Sequence, residues 1–183
     1  MLPLVVLPRL HIPDQDVPWF FIIGNVGAGI GGLIAAWMLD RAGRKATVTG
    51  FYLLAALSML AMAWATEGGS AQGVMLAFTI ANLCATGAWI AAYPTFAELF
   101  PTGMRATGIG FSVAFGRIGA AIAPPLLVAV AQAASMTAAF AVIAVFWLIG
   151  VAAMVPWSIW GPEGRGRALE ALSPEVAVVR GRR

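Results

Sequence analysis

A chain of 183 residues that is 61% hydrophobic and only 10% charged cannot cover a soluble domain with polar side chains, because soluble domains carry about 25% charged residues. Its one histidine, His11, and its one cysteine, Cys84, exclude a disulfide framework and a zinc site built within the chain. The net charge of +3 would fit a nucleic-acid ligand, but the basic residues flank long apolar blocks, a pattern typical of membrane topology. We therefore predict an integral membrane protein with no cofactor and no nucleic-acid partner.

Five apolar blocks follow one another, each close to the roughly 20 residues that cross a bilayer as an α-helix. Helices are expected because lipid offers no partner to free backbone groups. We predict an all-α membrane protein in which residues 18–160 form a five-helix bundle. Residues 1–17 are expected to be the end of a preceding helix and an extracytoplasmic loop, and residues 161–183 a cytoplasmic tail. The predicted spans are Pro18–Leu39, Ala46–Ala65, Val74–Phe96, Thr107–Ala131 and Met136–Trp157.

The first span contains a glycine-rich stretch, Gly27–Gly32, that fits the pattern G-x-G-x-x-G. A dinucleotide-binding loop would need a preceding strand and an acidic residue about 20 positions later, and the sequence offers neither. Small residues at Gly27 and Gly31 lie about one helical turn apart and let two helices approach closely in lipid. The stretch is therefore interpreted as a packing surface.

A charged turn with the sequence D-R-A-G-R-K closes this span at Asp40–Lys45. Gly43 allows the chain to reverse, and the charges suit helix ends and lipid phosphates. Anchoring at the membrane surface would explain the charges but not their order.

Four polar or aromatic residues recur at helical spacing along the third span. They either pack and anchor the helix or form the lining of a central cavity, and the sequence leaves both interpretations open. Cys84, in the same block, is interpreted as a small packing residue. The four residues are Asn82, Thr86, Trp89 and Tyr93.

The third connection has the sequence E-L-F-P-T-G-M-R, from Glu98 to Arg105. Pro101 is expected to end one helix and Thr102 to cap the next. This arrangement predicts that Glu98 and Arg105 lie at the same membrane level, within reach of each other or of the arginines in the Asp40–Lys45 turn.

Arg117 lies inside the fourth predicted span, where a charge costs about 2.5–3.5 kcal/mol. No aspartate or glutamate lies within any predicted span, so three partners remain open: an anionic substrate, a carboxylate outside these spans, or backbone carbonyls. Arginine binds carboxylates through two parallel hydrogen bonds, which favours contact with a substrate or a gate. The residues near whole turns from it are small and leave room beside the guanidinium: Ala106, Gly110, Ala121 and Pro124.

Basic residues are distributed unevenly between the two sides of this topology. Nine lie on one side and only Arg9 on the other, so the positive-inside rule makes the first side cytoplasmic, together with the C-terminus. We expect an inner (plasma) membrane protein with an extracytoplasmic Thr66–Gly73 loop. The nine are Arg41, Arg44, Lys45, Arg105, Arg165, Arg167, Arg180, Arg182 and Arg183.

After the fifth span comes the ending P-E-G-R-G-R-A-L-E, at Pro162–Glu170. With the D-R-A-G-R-K turn and the E-L-F-P-T-G-M-R segment, it resembles the signature motifs of major facilitator superfamily carriers, in the branch of sugar porters and metabolite:proton symporters. The motifs stand in the family's order, separated by the right number of spans. Gly164 departs from the threonine of the family ending. By this resemblance the five spans correspond to helices 8–12 of the fold.

Two further positions refine the resemblance. Gly116-Arg-Ile-Gly119 is similar to the G-R-x-G context of an arginine in aromatic acid:proton symporters. Tyr93 stands where sugar porters carry a tryptophan, which argues against sugar recognition. The resemblance also implies a gating network that latches the cytoplasmic side, formed here by Asp40, Arg41, Arg44, Glu98, Arg105 and Glu163.

The resemblance implies the C-terminal half of a secondary active transporter, not an enzyme. Its substrate is expected to be a small organic or aromatic acid moved with a proton. Transport is expected to need a missing N-terminal six-helix half, because family carriers bind substrate between two halves. Three alternatives stay open: a non-transporting truncated membrane protein, a half-carrier with a separate partner, and a sugar substrate.

Overall fold

The computed structural model describes residues 17–68 and 70–160. These residues form five helices, each long and apolar enough to cross a membrane. The predicted all-α class and the number of spans are therefore confirmed. Residues 1–16 of the predicted N-terminal segment (residues 1–17) and the whole predicted tail (residues 161–183) lie outside the described residues. The helices are α1 (Val17–Arg41), α2 (Arg44–Glu67), α3 (Ala71–Leu99), α4 (Arg105–Ala133) and α5 (Met136–Trp160), with a 3-10 turn at Thr102–Met104 before α4.

The helices run past their predicted bounds by less than one turn at either end. The added residues include Arg41, Arg44 and Glu98, which a search for apolar blocks leaves out although they continue the helix beyond the hydrocarbon core. With 29 residues, α3 is about 43 Å long, more than the roughly 30 Å of hydrocarbon that it must cross. Glu98 consequently lies in the last turn of α3 rather than in a loop.

The closest packing in the bundle joins α1 to α3 through glycines. A Cβ atom added to Gly27 would lie 2.4 Å from the backbone oxygen of Thr79, and one added to Gly31 would lie 2.1 Å from that of Leu83. Only glycine permits such backbone contact, so the predicted packing role of this stretch is confirmed. Residues Gly24, Gly27 and Gly31 form what we call the glycine seam.

The buried core lies mainly between α1, α2, α3 and α5. It is built largely from alanines, which let the helices approach closely; Cys84 is also buried, in agreement with its predicted packing role. Large side chains, such as Phe20, Met62 and Phe140, fill one end of the bundle. Tight packing therefore holds four helices together.

Helix α4 is the exception, since Ala131 is its only buried residue. It makes limited contact with α3 and α5 and leaves large apolar side chains uncovered, including Phe111, Phe115 and Ile122. Lipid or another protein surface must cover this helix in the membrane.

Two turns lie at what we call the charged end of the bundle: the Asp40–Lys45 turn and the connection between α3 and α4. They differ in backbone conformation. Gly43 has a φ of 88°, a conformation that side-chain-bearing residues rarely adopt, which confirms its predicted role in reversing the chain. Phe100 is extended, as expected before Pro101. The predicted cap at Thr102 is wrong: Thr102 begins the 3-10 turn, and Met104 occupies the N-cap position of α4 without a side-chain hydrogen bond.

Candidate functional site

An ion pair at the charged end joins two helices. Arg44, in the first turn of α2, donates through Nε to Oε1 of Glu98, in the last turn of α3, at 2.7 Å. Both side chains are largely covered, with exposed fractions of 18% and 9%. Arg44 also donates through Nη1 to the backbone oxygen of Leu39 in α1, at 3.1 Å. One guanidinium therefore ties the ends of three helices together.

The other members of the predicted network are less closely joined. Asp40 and Arg41 are exposed, and the guanidinium of Arg41 lies over the ring of Trp37, 5.0 Å from its centroid. Oε2 of Glu98 and Nε of Arg105 are both buried without a hydrogen-bond partner in the described part of the chain. Glu163 lies outside the described residues.

A second group of predicted residues forms an aromatic slot, a cavity of about 190 Å³ between α2, α3 and α4. The rings of Trp89 and Tyr93 pack edge to face, with their centroids 5.3 Å apart. Both side chains remain partly exposed, at 50% and 36%. The slot is lined by Tyr52, Trp89, Ala92, Tyr93, Phe96, Ser112, Val113 and Gly116.

Asn82 lines a different cavity, of about 200 Å³, between α2, α3 and α5. Its neighbours there are apolar and include Met59, Phe78 and Phe140. Thr86 is half-buried and lies about one turn from both Asn82 and Trp89. The four residues predicted to share one lining thus divide between two environments.

Arg117 directly follows Gly116, a lining residue of the slot. It lies 12 positions after Arg105, about 18 Å along the helix axis and therefore near mid-span. Its side chain is exposed, and it makes no hydrogen bond or ion pair with another described residue. A Cβ atom added to Gly110, about two turns earlier on the same face, would meet no atom within 4 Å, so that face of α4 is open at Gly110 as well.

Six of the eight lining residues of the slot were not predicted as site residues from the sequence: Tyr52, Ala92, Phe96, Ser112, Val113 and Gly116. Tyr52 packs its ring edge to face against Trp147, with centroids 5.2 Å apart, and Ser112 donates to the backbone oxygen of Gly108 at 2.9 Å. A tyrosine in the middle of an apolar block was a usable signal for Tyr52, because its hydroxyl needs a polar partner. Gly116 was noted only as part of the Gly116-Arg-Ile-Gly119 context of Arg117, and that context does not predict a lining residue. The described residues contain no group of three or more histidine, cysteine, aspartate or glutamate side chains that could hold a metal ion.

Comparison with known proteins gives relatives that include several bacterial transporters. The chain is 30% identical over 142 residues to the niacin transporter NiaP of Acinetobacter baylyi, covering 78% of this chain and 31% of that protein. It is 35% identical over 141 residues to the putative niacin/nicotinamide transporter NiaP of Bacillus subtilis, covering 74% and 33%. It is 29% identical over 125 residues to the benzoate transport protein of Acinetobacter baylyi, covering 66% and 26%. No solved structure matches the chain significantly.

The chain thus spans about a third of the length of the first curated relatives that it matches. The family model for the Major Facilitator Superfamily matches residues 1–181, which includes all five helices, the ion pair and the slot. The five helices of the chain lie where its apolar blocks predicted them, to within one turn at each end. This chain belongs to the Major Facilitator Superfamily.

Proposed function

We propose that this chain is the C-terminal half of a secondary active transporter that moves a small aromatic or other organic acid together with a proton. The observation that carries the proposal is Arg117, an arginine near mid-span with an exposed side chain and no hydrogen-bond or ion-pair partner among the described residues. A charge at this depth is costly without compensation. A carboxylate substrate would compensate the charge of Arg117 and would accept two parallel hydrogen bonds from its guanidinium.

The names of several relatives support this substrate class, whereas two others are named as facilitated glucose transporters. The former include transporters of niacin, of benzoate and of gentisate, and each of these compounds carries one aromatic ring and one carboxyl group. The partly exposed rings of Trp89 and Tyr93, near Arg117 along the membrane normal, suit a ligand of the same kind. Asn82 and Thr86 are proposed as secondary contacts from α3.

Proton coupling would need an acid that this part of the chain does not supply at mid-span. Among the described residues the carboxylates lie at helix ends: Asp40 in α1, Glu67 in α2 and Glu98 in α3. We therefore place the coupling acid in a missing N-terminal six-helix half. That half would also form the second wall of the binding site, so this chain alone is proposed to be inactive.

The ion pair between Arg44 and Glu98 is proposed to latch the cytoplasmic side of the carrier, with Asp40, Arg41, Arg105 and Glu163 around it. Its burial supports this role, because a mostly covered, charge-assisted hydrogen bond is stronger than an exposed one. Opening of that side would weaken the pair, so its strength would set how often the carrier opens inward.

The test is uptake of labelled benzoate and nicotinate into proteoliposomes with an imposed pH gradient. One preparation contains this chain alone and the other contains it together with its N-terminal half. We expect uptake only in the second preparation, with loss when a protonophore collapses the gradient. Uptake of glucose instead of the acids would support the sugar alternative, and no uptake in either preparation would overturn the transport proposal.

A further inference from the structure

We propose that the aromatic slot holds the ring of the substrate and that Gly116 sets the size of the ring that fits. The inference rests on the proposed function, because it requires a carboxylate to be bound at Arg117. Beyond the proposed function, the inference states where the aromatic ring of the substrate binds and which residue limits the size of that ring.

The walls of the slot are suited to an aromatic ring. Four aromatic side chains line it, Tyr52 from α2 and Trp89, Tyr93 and Phe96 from α3. Aromatic rings prefer edge-to-face or offset contacts with one another, and the pair of Trp89 and Tyr93 already adopts an edge-to-face arrangement. A planar ring entering the slot would extend this arrangement, whereas an aliphatic acid would gain less from it.

The volume of the slot limits the ligand to one ring. A cavity of about 150 Å³ in an apolar protein core is enough to hold benzene. The slot measures about 190 Å³, which leaves room for a six-membered ring with a small substituent. Two fused rings would exceed it unless the helices moved apart.

Gly116 keeps this space open. A Cβ atom added there would meet no atom within 4 Å, so no neighbouring group requires a glycine for packing. Gly108, two turns earlier on α4, differs: a Cβ atom there would lie 2.5 Å from the ring of Phe100. The missing side chain at Gly116 therefore contributes volume to the slot rather than close helix contact.

The position of Gly116 also connects the slot to Arg117. Adjacent Cα atoms are about 3.8 Å apart, so the long side chain of Arg117, which does not itself line the slot, would bind the carboxylate by extending to the mouth of the slot. A benzoate-like ligand would then place its ring between the aromatic walls and its carboxylate at the guanidinium. This arrangement assigns the two ends of the substrate to neighbouring residues of one helix.

The experiment measures the dissociation constants of benzoate, 2-naphthoate and propionate by calorimetry, on the carrier that contains this chain and its N-terminal half. Gly116→Val is compared with Gly119→Val, a matched change on α4. A Cβ atom at Gly119 also meets nothing within 4 Å, but Gly119 lines an apolar groove between α4 and α5. Thermal unfolding of each variant checks that it folds, and Gly116→Ala provides a smaller step if the valine variant does not.

We expect the unmodified carrier to bind benzoate roughly tenfold or more tightly than 2-naphthoate, since a change of one methylene in a pocket already has an effect of this size. Gly116→Val should weaken benzoate binding by roughly tenfold or more and leave propionate binding unchanged, and Gly119→Val should change neither. Equal benzoate affinity in the unmodified carrier and the folded Gly116 variants would overturn the ring site while leaving the proposed function intact. Failure of the unmodified carrier to bind any of the three acids would overturn both.

Discussion

Arg44 and Glu98 are 54 positions apart in the sequence, and yet Nε of one lies 2.7 Å from Oε1 of the other. The pair joins the beginning of α2 to the end of α3. Because the carboxylate is mostly buried, removal of its partner would leave a charge that neither water nor another side chain fully compensates. This relationship makes the charged end of the bundle a place where small changes should have large effects.

The first prediction concerns this pair. Arg44→Ala should lower the free energy of unfolding in detergent by about 3 kcal/mol, the usual effect of stranding a buried charge. In the full carrier, Glu98→Gln should slow turnover more than it weakens substrate binding, because the proposed latch would act on opening of the carrier. Glu67→Gln, an exposed carboxylate at the opposite end of α2, serves as the control. Normal transport rates in Glu98→Gln would show that the pair only anchors the helices.

The second prediction concerns the glycine seam. Gly31→Ala should destabilise the bundle by about 1–3 kcal/mol, because the new methyl group overlaps the backbone of Leu83 in α3. Gly29→Ala, on the open side of the same helix, should be neutral or stabilising by up to about 1 kcal/mol, since alanine favours helix over glycine. Thermal unfolding followed by circular dichroism compares the two variants. Equal melting temperatures would contradict backbone contact between α1 and α3.

The third prediction concerns topology, for which the distribution of basic residues predicts a cytoplasmic C-terminus. In a Cys84→Ala background, Ser70→Cys should react with a membrane-impermeant thiol reagent on intact cells. Ser173→Cys should react only after the cells are lysed. The reverse pattern would place the charged end outside and would contradict the proposed cytoplasmic latch.

The fourth prediction concerns Arg117. Arg117→Lys keeps the charge but loses the planar fork, so it should weaken binding of a carboxylate substrate strongly, by roughly tenfold or more. Arg117→Ala should weaken binding at least as much while leaving the yield of folded protein unchanged or higher. Uptake and folded yield are measured together on both variants. A fall in yield with unchanged affinity would indicate that the arginine is structural.

The sequence predicted the helices well because long apolar blocks allow few alternatives in a membrane. It was less informative at their ends, where charged residues such as Arg41 and Glu98 continue a helix beyond the hydrocarbon. The motif that contains Glu98 predicted an arginine partner but left Arg41, Arg44 and Arg105 open. The turn at Gly43, with its positive φ, places Arg44 rather than Arg41 beside the carboxylate, and such a choice depends on backbone geometry.

The lining of the slot shows a second limit of prediction from the sequence. Asn82 and Tyr93 are 11 residues apart, which is close to three full turns, and they therefore point in similar directions from the axis of α3. They nevertheless line different cavities, because the neighbouring helix at one depth is α5 and at the other is α4. Helical spacing gives the direction of a side chain, but only the packing of the whole bundle gives what it meets.

The sparse packing of α4 bears on how such a carrier is made. Four helices of this chain pack closely against one another, whereas α4, with Ala131 as its only buried residue, makes few stabilising contacts with the other described helices. In the proposed carrier, the missing half would cover the face that carries Arg117. The two halves would then not assemble as fully folded units, because α4 would reach its final packing only when the halves associate. A half synthesised without its counterpart should accordingly be short-lived in the cell, because membrane proteases degrade proteins in which a helix such as α4 lacks its packing partners.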